Sequence, residues 1–402
     1  MKYYFKSFLY LIFLDVILMP LGSILGQSGL GNIFFHFFKI PFIGLFIVTI
    51  LFHFKFKVRL NYISILFLVF GFISFFVGLF TNDIGKPFFT HVYGFLLPVL
   101  GMSLGSYFYQ YSDSKDIFLF HKVFKWSFIG LAFLTIIYFL LYLAGVITYF
   151  GMATRWPYFA AYALSNNKML MFLVCVLLVI MTGKRSMVAQ YIVFFTLFLF
   201  QNKKRYSFAL SRKAKFALLI LVTFGIFIGL KEDIFFRFQP LFDVVLQDKY
   251  SLYIATSGRS AEVFGVLDHL NSDNIMWLFG GGFGETFQYV GGLGKETYTL
   301  TNHYSHFSPL YFVLVYGGIF TVLFYLALVY TFGKNFHKGI DIFYLLAIGG
   351  FVSSFMSSIM LIDLQFWFYL GGCIYSSKNR KYFGKFNLIL KKEVACLVVK
   401  KY

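Results

Sequence analysis

Charge is what this chain has least of. Lys, Arg, Asp and Glu together make up 13% of its 402 residues, where soluble domains carry about 25%, and that shortage excludes an ordinary soluble fold. Cysteine is scarce as well: Cys175, Cys373 and Cys396, an odd number placed in or beside apolar runs and in the tail, give no disulfide framework. The sequence has no GxxxxGK[ST] nucleotide loop, which disfavours ATP-driven transport. It has no HExxH pair and no Cys beside its histidines in ligand spacing, so neither a metal site nor a cofactor is expected. Internal repeats and low-complexity linkers are absent, apart from a bias toward Phe and Ile. The first apolar run, preceded by Lys2 and Lys6, lacks a small-residue cleavage site and reads as a retained helix.

What is present is apolar: 59% hydrophobic and 23% aromatic residues, with a mean hydropathy of +0.77. The runs approach the 20 or so residues that a helix needs to cross the hydrocarbon core. They are too long for the alternating segments of a transmembrane barrel. The expected fold is therefore all-α, a single integral membrane domain over 1–402, built of helices that satisfy their own backbone groups. Spans are predicted at about 7–26, 34–54, 61–80, 87–107, 123–148, 169–182, 187–201, 215–231, 306–332, 341–359 and 361–377. The net charge of +19 comes from short clusters beside these spans, such as Lys55/Lys57/Arg59 and Lys203/Lys204/Arg205. Such clusters read as topology signals and not as a nucleic-acid patch, so no nucleic acid is expected as a partner.

The positive-inside rule places the N-terminus, 55–59, 115–125, 203–215, 334–338 and a basic tail at 378–402 in the cytoplasm. Eleven spans leave that arrangement one crossing short. Residues Trp156–Asn167, too short for a full span, supply it as a buried half-helix, giving twelve crossings with Arg155 and Lys184-Arg185 outside. A rival count of eleven puts Lys184 and Arg185 inside.

Polar residues concentrate in one interval. Nine of the sixteen acidic residues fall between Lys231 and Ser305, so 232–305 is expected to be a large loop outside the cytoplasm. It carries two helix-compatible stretches, Asp233–Leu246 and Arg259–Leu270, able to lie along the membrane and roof a cavity. Arg259 opens the second, where its guanidinium and the free amides of a first turn would face an anion; an ordinary loop arginine fits the same spacing. Arg185, at a helix end, suits a phosphate oxygen or a snorkelling interfacial charge. The run Gly280-Gly281-Gly282-Phe283-Gly284 offers backbone amides for a diphosphate, or simply a flexible turn. His306 opens a span at the water boundary, where an imidazole is a candidate base, with His303 three residues earlier and Glu262 and Glu285 as carboxylate alternatives. Asp15 and Asp363 are costly charges inside predicted spans.

In order and spacing, TGKRS at a helix end, SGR before an acidic helix, LFGGGFGE, and His306 eleven residues before Gly317 together resemble the O-antigen polymerase and O-antigen ligase superfamily. The match runs from Thr182 to Phe320, about a third of the chain, and departs from the family at Phe307, where an Asn is usual, and at Pro309. The resemblance implies a metal-independent glycosyltransferase of the bacterial inner membrane, its active site facing the periplasm and acting on undecaprenyl-diphosphate-linked oligosaccharide in lipopolysaccharide biosynthesis. It further implies membrane lipid and a chain-length regulator protein as partners. In this reading Arg155, Arg185, Arg259, Gly280, Gly281, Gly282 and His303 bind substrate, while His306, Glu262 or Glu285 supplies the base. The polymerase is preferred because the chain lacks a close match to the ligase histidine motif. A lipid-linked oligosaccharide flippase would show paired halves with intramembrane charges and no dominant loop.

Overall fold

The structure, a computed structural model, describes residues 60–146, 156–166, 168–182, 187, 190–194, 196–197, 259–291, 298–336, 342–355 and 364–378. The spans expected at 7–26, 34–54 and 215–231, the stretch Asp233–Leu246 and most of the basic tail lie outside these residues. In chain order the described elements begin with α1 (Tyr62–Thr81), α2 (Lys86–Tyr111), α3 (Ser114–Leu143), α4 (Trp156–Ser165) and α5 (Met169–Thr182). They continue with α6 (Arg259–Asn271), α7 (Asn274–Phe279), β1 (Phe287–Gly291), β2 (Tyr298–Asn302), α8 (Ser308–Phe336), α9 (Ile342–Ser354) and α10 (Leu364–Lys378). The chain is mostly helical, and α1, α2, α3 and α8 are long and apolar enough to cross a membrane.

Helix starts follow local chemistry. The Asn61 side chain accepts from Ser64 N at 2.9 Å to open α1, and Asp113 and Asp116 cap α3 reciprocally. Helices α1 and α2 form an antiparallel hairpin, with Phe75 5.6 Å from Phe88. Small residues bring α2 and α10 together: Cβ atoms at Gly101 or Gly105 would collide with Trp367 or Phe368, and Ser106 Oγ donates to the Gly371 carbonyl at 2.9 Å.

The expected half-helix is α4, ten residues with every side chain from Trp156 to Leu164 buried. It lies antiparallel to the first half of α3: Tyr162 stacks on Phe124 at 4.6 Å, and Trp156 meets Phe128 at 5.9 Å. Helix α5 then leaves Lys168 for the other end of the bundle, and the chain returns beside it, Tyr191 lying 5.9 Å from Phe172.

The longest apolar run departs from the single straight span expected at 306–332. Gly317, at φ 88 and ψ 165, breaks α8 into limbs 308–316 and 318–336. Phe312 lies 5.1 Å from Phe324 and 6.4 Å from Tyr325, whereas twelve residues of straight helix separate side chains by about 18 Å. The first limb is therefore folded back along the second. Phe67 of α1 closes the core between them, touching Phe312, Tyr316, Phe320, Phe324 and Trp367. The limb 318–336, about 28 Å of helix, alone has the length of a span.

The described half of the polar loop is folded, and it adds a two-stranded hairpin to the mostly helical chain. β1 and β2 form an antiparallel pair, with Phe287 opposite Asn302 and Tyr289 opposite Leu300. Phe287 and Gly291 face inward and Gln288 and Val290 outward, an alternation hidden in the sequence among glycines and threonines. Helix α6 forms as expected and lies on β1, where a Cβ at Gly265 would sit 2.6 Å from the Gln288 carbonyl.

Candidate functional site

Helix α6 presents one face to the protein. Val266 and Leu270, four residues apart, pack with Phe287, Val313 and Leu314, and Glu262, a further turn back, points the same way. Its carboxylate is consequently buried, with 9% of the side chain exposed, and a buried carboxylate needs a partner. That partner is His306, just before the folded-back limb. Nδ1 lies 2.8 Å from Oε2 and 3.0 Å from Oε1 of Glu262, and the His306 backbone N–H donates to Oε2 at 3.2 Å. In the neutral ring this contact holds the proton on Nδ1 and leaves the Nε2 lone pair for chemistry. The imidazole is braced at Nδ1 and keeps 34% of its side-chain surface exposed. Tyr304, itself exposed, stands 5.7 Å from that ring.

The pair lies elsewhere than the outer boundary of a straight span. Because limb 308–316 turns back at Gly317, His306 sits at the foot of a re-entrant segment, where Phe307 meets Phe355 at 6.1 Å beside Tyr325 of the second limb. Non-helical backbone at membrane depth is tolerated where it is packed in protein or lines a cavity.

His303 does not join the dyad. Its carbonyl accepts from Nε2 of His91 on α2 at 2.7 Å, and its own imidazole is held below the usual histidine value by burial, with Lys86 adding to the effect. His91 Nδ1 in turn accepts from Gly284 N at 2.9 Å. One buried imidazole thus fastens two distant loop segments to α2. A second pair joins His269 Nε2 to Glu285 Oε1 at 2.9 Å, two turns along α6 from Glu262. Glu285, expected as an alternative base, is therefore a partner of His269 and not of His306.

The glycine run is a packed joint. Gly280 N donates to Met276 O at 2.9 Å, Gly281 N to Leu314 O at 2.8 Å and Phe283 N to Ser74 O at 2.9 Å, while Asn82 Nδ2 donates to the carbonyls of Gly281 and Phe283. The amides of Gly280 and Gly281, two of the three residues expected to cradle a diphosphate, thus already have backbone acceptors, and these contacts carry the chain between α1 and α8. Positive φ at Gly280 and Gly282 and the approach of Gly78 to the Phe283 backbone explain the residue type.

Arg259 is half-buried at the first position of α6, one turn before Glu262. Arg155, Arg185, Asp15 and Asp363 lie outside the described residues. Among the described residues no group of three or more His, Cys, Asp and Glu converges as metal ligands would. His91, Asn82 and His269 escaped the sequence reading; the signal available was a histidine five residues into an apolar helix and an asparagine closing another. No family model, curated protein or solved structure matches the chain.

Proposed function

We propose that the chain is an O-antigen-polymerase-type glycosyltransferase, joining oligosaccharide units carried on undecaprenyl diphosphate at the periplasmic face of the bacterial inner membrane. The observation that carries this reading is the His306 and Glu262 pair, a partly exposed imidazole braced at Nδ1 by a buried carboxylate. In the reaction the acceptor sugar hydroxyl attacks the anomeric carbon of the donor. The new glycosidic C–O bond forms as the bond to the lipid diphosphate breaks, and the hydroxyl proton passes to Nε2 of His306. Glu262 stabilises the imidazolium. Arg259, one helical turn away, supplies positive charge for the departing diphosphate, and the exposed ring of Tyr304 offers a flat face to a sugar.

The orientation rests on charge. Lys115, Lys122 and Lys125 on the first part of α3, with Lys168 near them, stand at one end of α2. The dyad and the folded loop stand toward the other, since His91 lies in the first turns of α2. With the lysine-rich end in the cytoplasm, the dyad opens toward the periplasm.

The test is genetic and chemical together. A deletion strain carrying single-repeat lipopolysaccharide identifies a polymerase, and one that loses the O-chain and keeps polymer on the lipid carrier identifies the ligase. His306→Ala should reproduce the deletion phenotype with the protein present in the membrane, since general-base assistance contributes about 10²–10⁴-fold. Wild-type chain length in that variant removes the base from His306.

A further inference from the structure

We infer that α7 is an interfacial anchor that seats the loop in the acyl region of the membrane's outer boundary. The helix has one apolar face: Ile275, Leu278 and Phe279, at i, i+3 and i+4, are 67%, 51% and 49% exposed. Its other side is engaged with the protein: Met276 and Trp277 pack against the cluster of Val266, Leu270, Phe287, Val313 and Leu314, Trp277 Nε1 donates to Asn271 at 3.1 Å, and Asp273 caps the start by accepting from Ile275 N at 2.8 Å. A short helix that exposes three large apolar residues in water incurs about 25 cal/mol for every Å² left uncovered, so an apolar medium is its natural neighbour.

Two further observations make that medium lipid. The helix is joined backbone to backbone with the start of the spanning limb: a Cβ at Gly318 would stand 2.6 Å from the Trp277 carbonyl, and one at Gly317 would run into that of Leu278. Beyond this contact the limb carries an exposed stripe of Ile319, Val322, Leu323, Leu326, Val329 and Tyr330, which is the lipid-facing side of a spanning helix. The apolar face of α7 caps that stripe. The level also fits, since residues 318–336 make about 28 Å of helix, close to the thickness of the hydrocarbon core. Lys334, beside Tyr330 at 5.7 Å, marks the far boundary as aromatic and basic residues do, and α7 falls at the near one. From the α1–α2 turn, exposed Phe80 and Ile84 reach the same level, because Asn82 between them holds the glycine run that follows α7.

Site-directed spin labels in lipid nanodiscs test this without reference to any enzymatic activity. In the full chain with Cys396 replaced by serine, cysteines are introduced singly as Ile275→Cys, Leu278→Cys and Phe279→Cys, with Ser272→Cys as the water-facing comparison. Labels on the α7 face should collide readily with oxygen and poorly with a soluble nickel chelate, and the label at 272 should show the opposite order. Nickel accessibility at all three α7 sites equal to that at 272 places the helix in water and overturns the proposal. Labels shielded from both reagents and immobilised place another protein surface there, a second copy of this chain or one of its own segments, and overturn it equally. Three sites on one face keep the test open if one substitution prevents folding.

Discussion

A histidine bonded through Nδ1 to a buried carboxylate differs in kind from a histidine that anchors a helix end. His91 shows the contrast: both its nitrogens are occupied, one by Gly284 and one by His303, so the ring is a fastener with no lone pair left for substrate. His306 has Nδ1 committed to Glu262, and its ring keeps about a third of its surface exposed. If Glu262 holds the tautomer and stabilises the imidazolium, Glu262→Gln, which keeps the size and one acceptor oxygen, should cut polymerisation on the order of 10²-fold or more with little change in substrate affinity. The measurement is turnover of purified lipid-linked repeats at saturating and sub-saturating concentrations. A fall in apparent affinity with unchanged turnover would reduce Glu262 to a structural partner. His306 and Glu262 were both legible as candidates in the sequence because polar residues are rare in this chain. Their pairing was not legible, since forty-four positions separate them and only the packing of α6 on the first limb of α8 closes the distance.

At the scale of elements the folded helix α8 decides where the dyad stands. Twenty-nine residues of apolar sequence look continuous to any reading by hydropathy, and the expected span at 306–332 follows from that. What hydropathy does not weigh is a Gly-Gly pair crossed by another backbone. Gly317 takes φ 88 and ψ 165, a region that is essentially confined to glycine and costs other residues about 1–3 kcal/mol, and the Leu278 carbonyl fills the place its Cβ would need. Gly317→Ala should therefore destabilise the protein by several kcal/mol in rough terms and unseat the dyad even where the chain still inserts. Gly333→Ala, in the same helix with nothing near its Cβ, should melt like wild type or slightly higher, since alanine favours a helix over glycine by about 1 kcal/mol. Thermal unfolding of the two variants in detergent makes the comparison. Equal midpoints would mean that the fold at Gly317 is not held by close backbone contact. The β hairpin escaped prediction for a similar reason: its stability comes from α6 packed over Gly265 and not from any strong strand pattern of its own.

For the whole molecule, the question is which end of the bundle faces outward, and charge and geometry meet there. Lysines near 115–125 and the acidic loop are separate signals in the sequence; the structure sets Lys115 and Lys122 and the described part of the loop toward opposite ends of α2, so that a single orientation now has to satisfy both. With Lys115 and Lys122 inside, Ser272 on the exposed turn after α6 must lie outside, as positive-inside reasoning places the loop. A cysteine at Ser272 should then react with a membrane-impermeant thiol reagent in intact spheroplasts, and a cysteine at Lys115 should react only after lysis. The two positions must answer oppositely whatever the true count of spans, because α2 alone connects their ends. Labelling of 115 and protection of 272 would invert the molecule and carry the dyad into the cytoplasm, where a donor presented at the periplasmic face could not reach it; labelling of both from one side would break the antiparallel path from α1 through α3 on which the placement of the site depends.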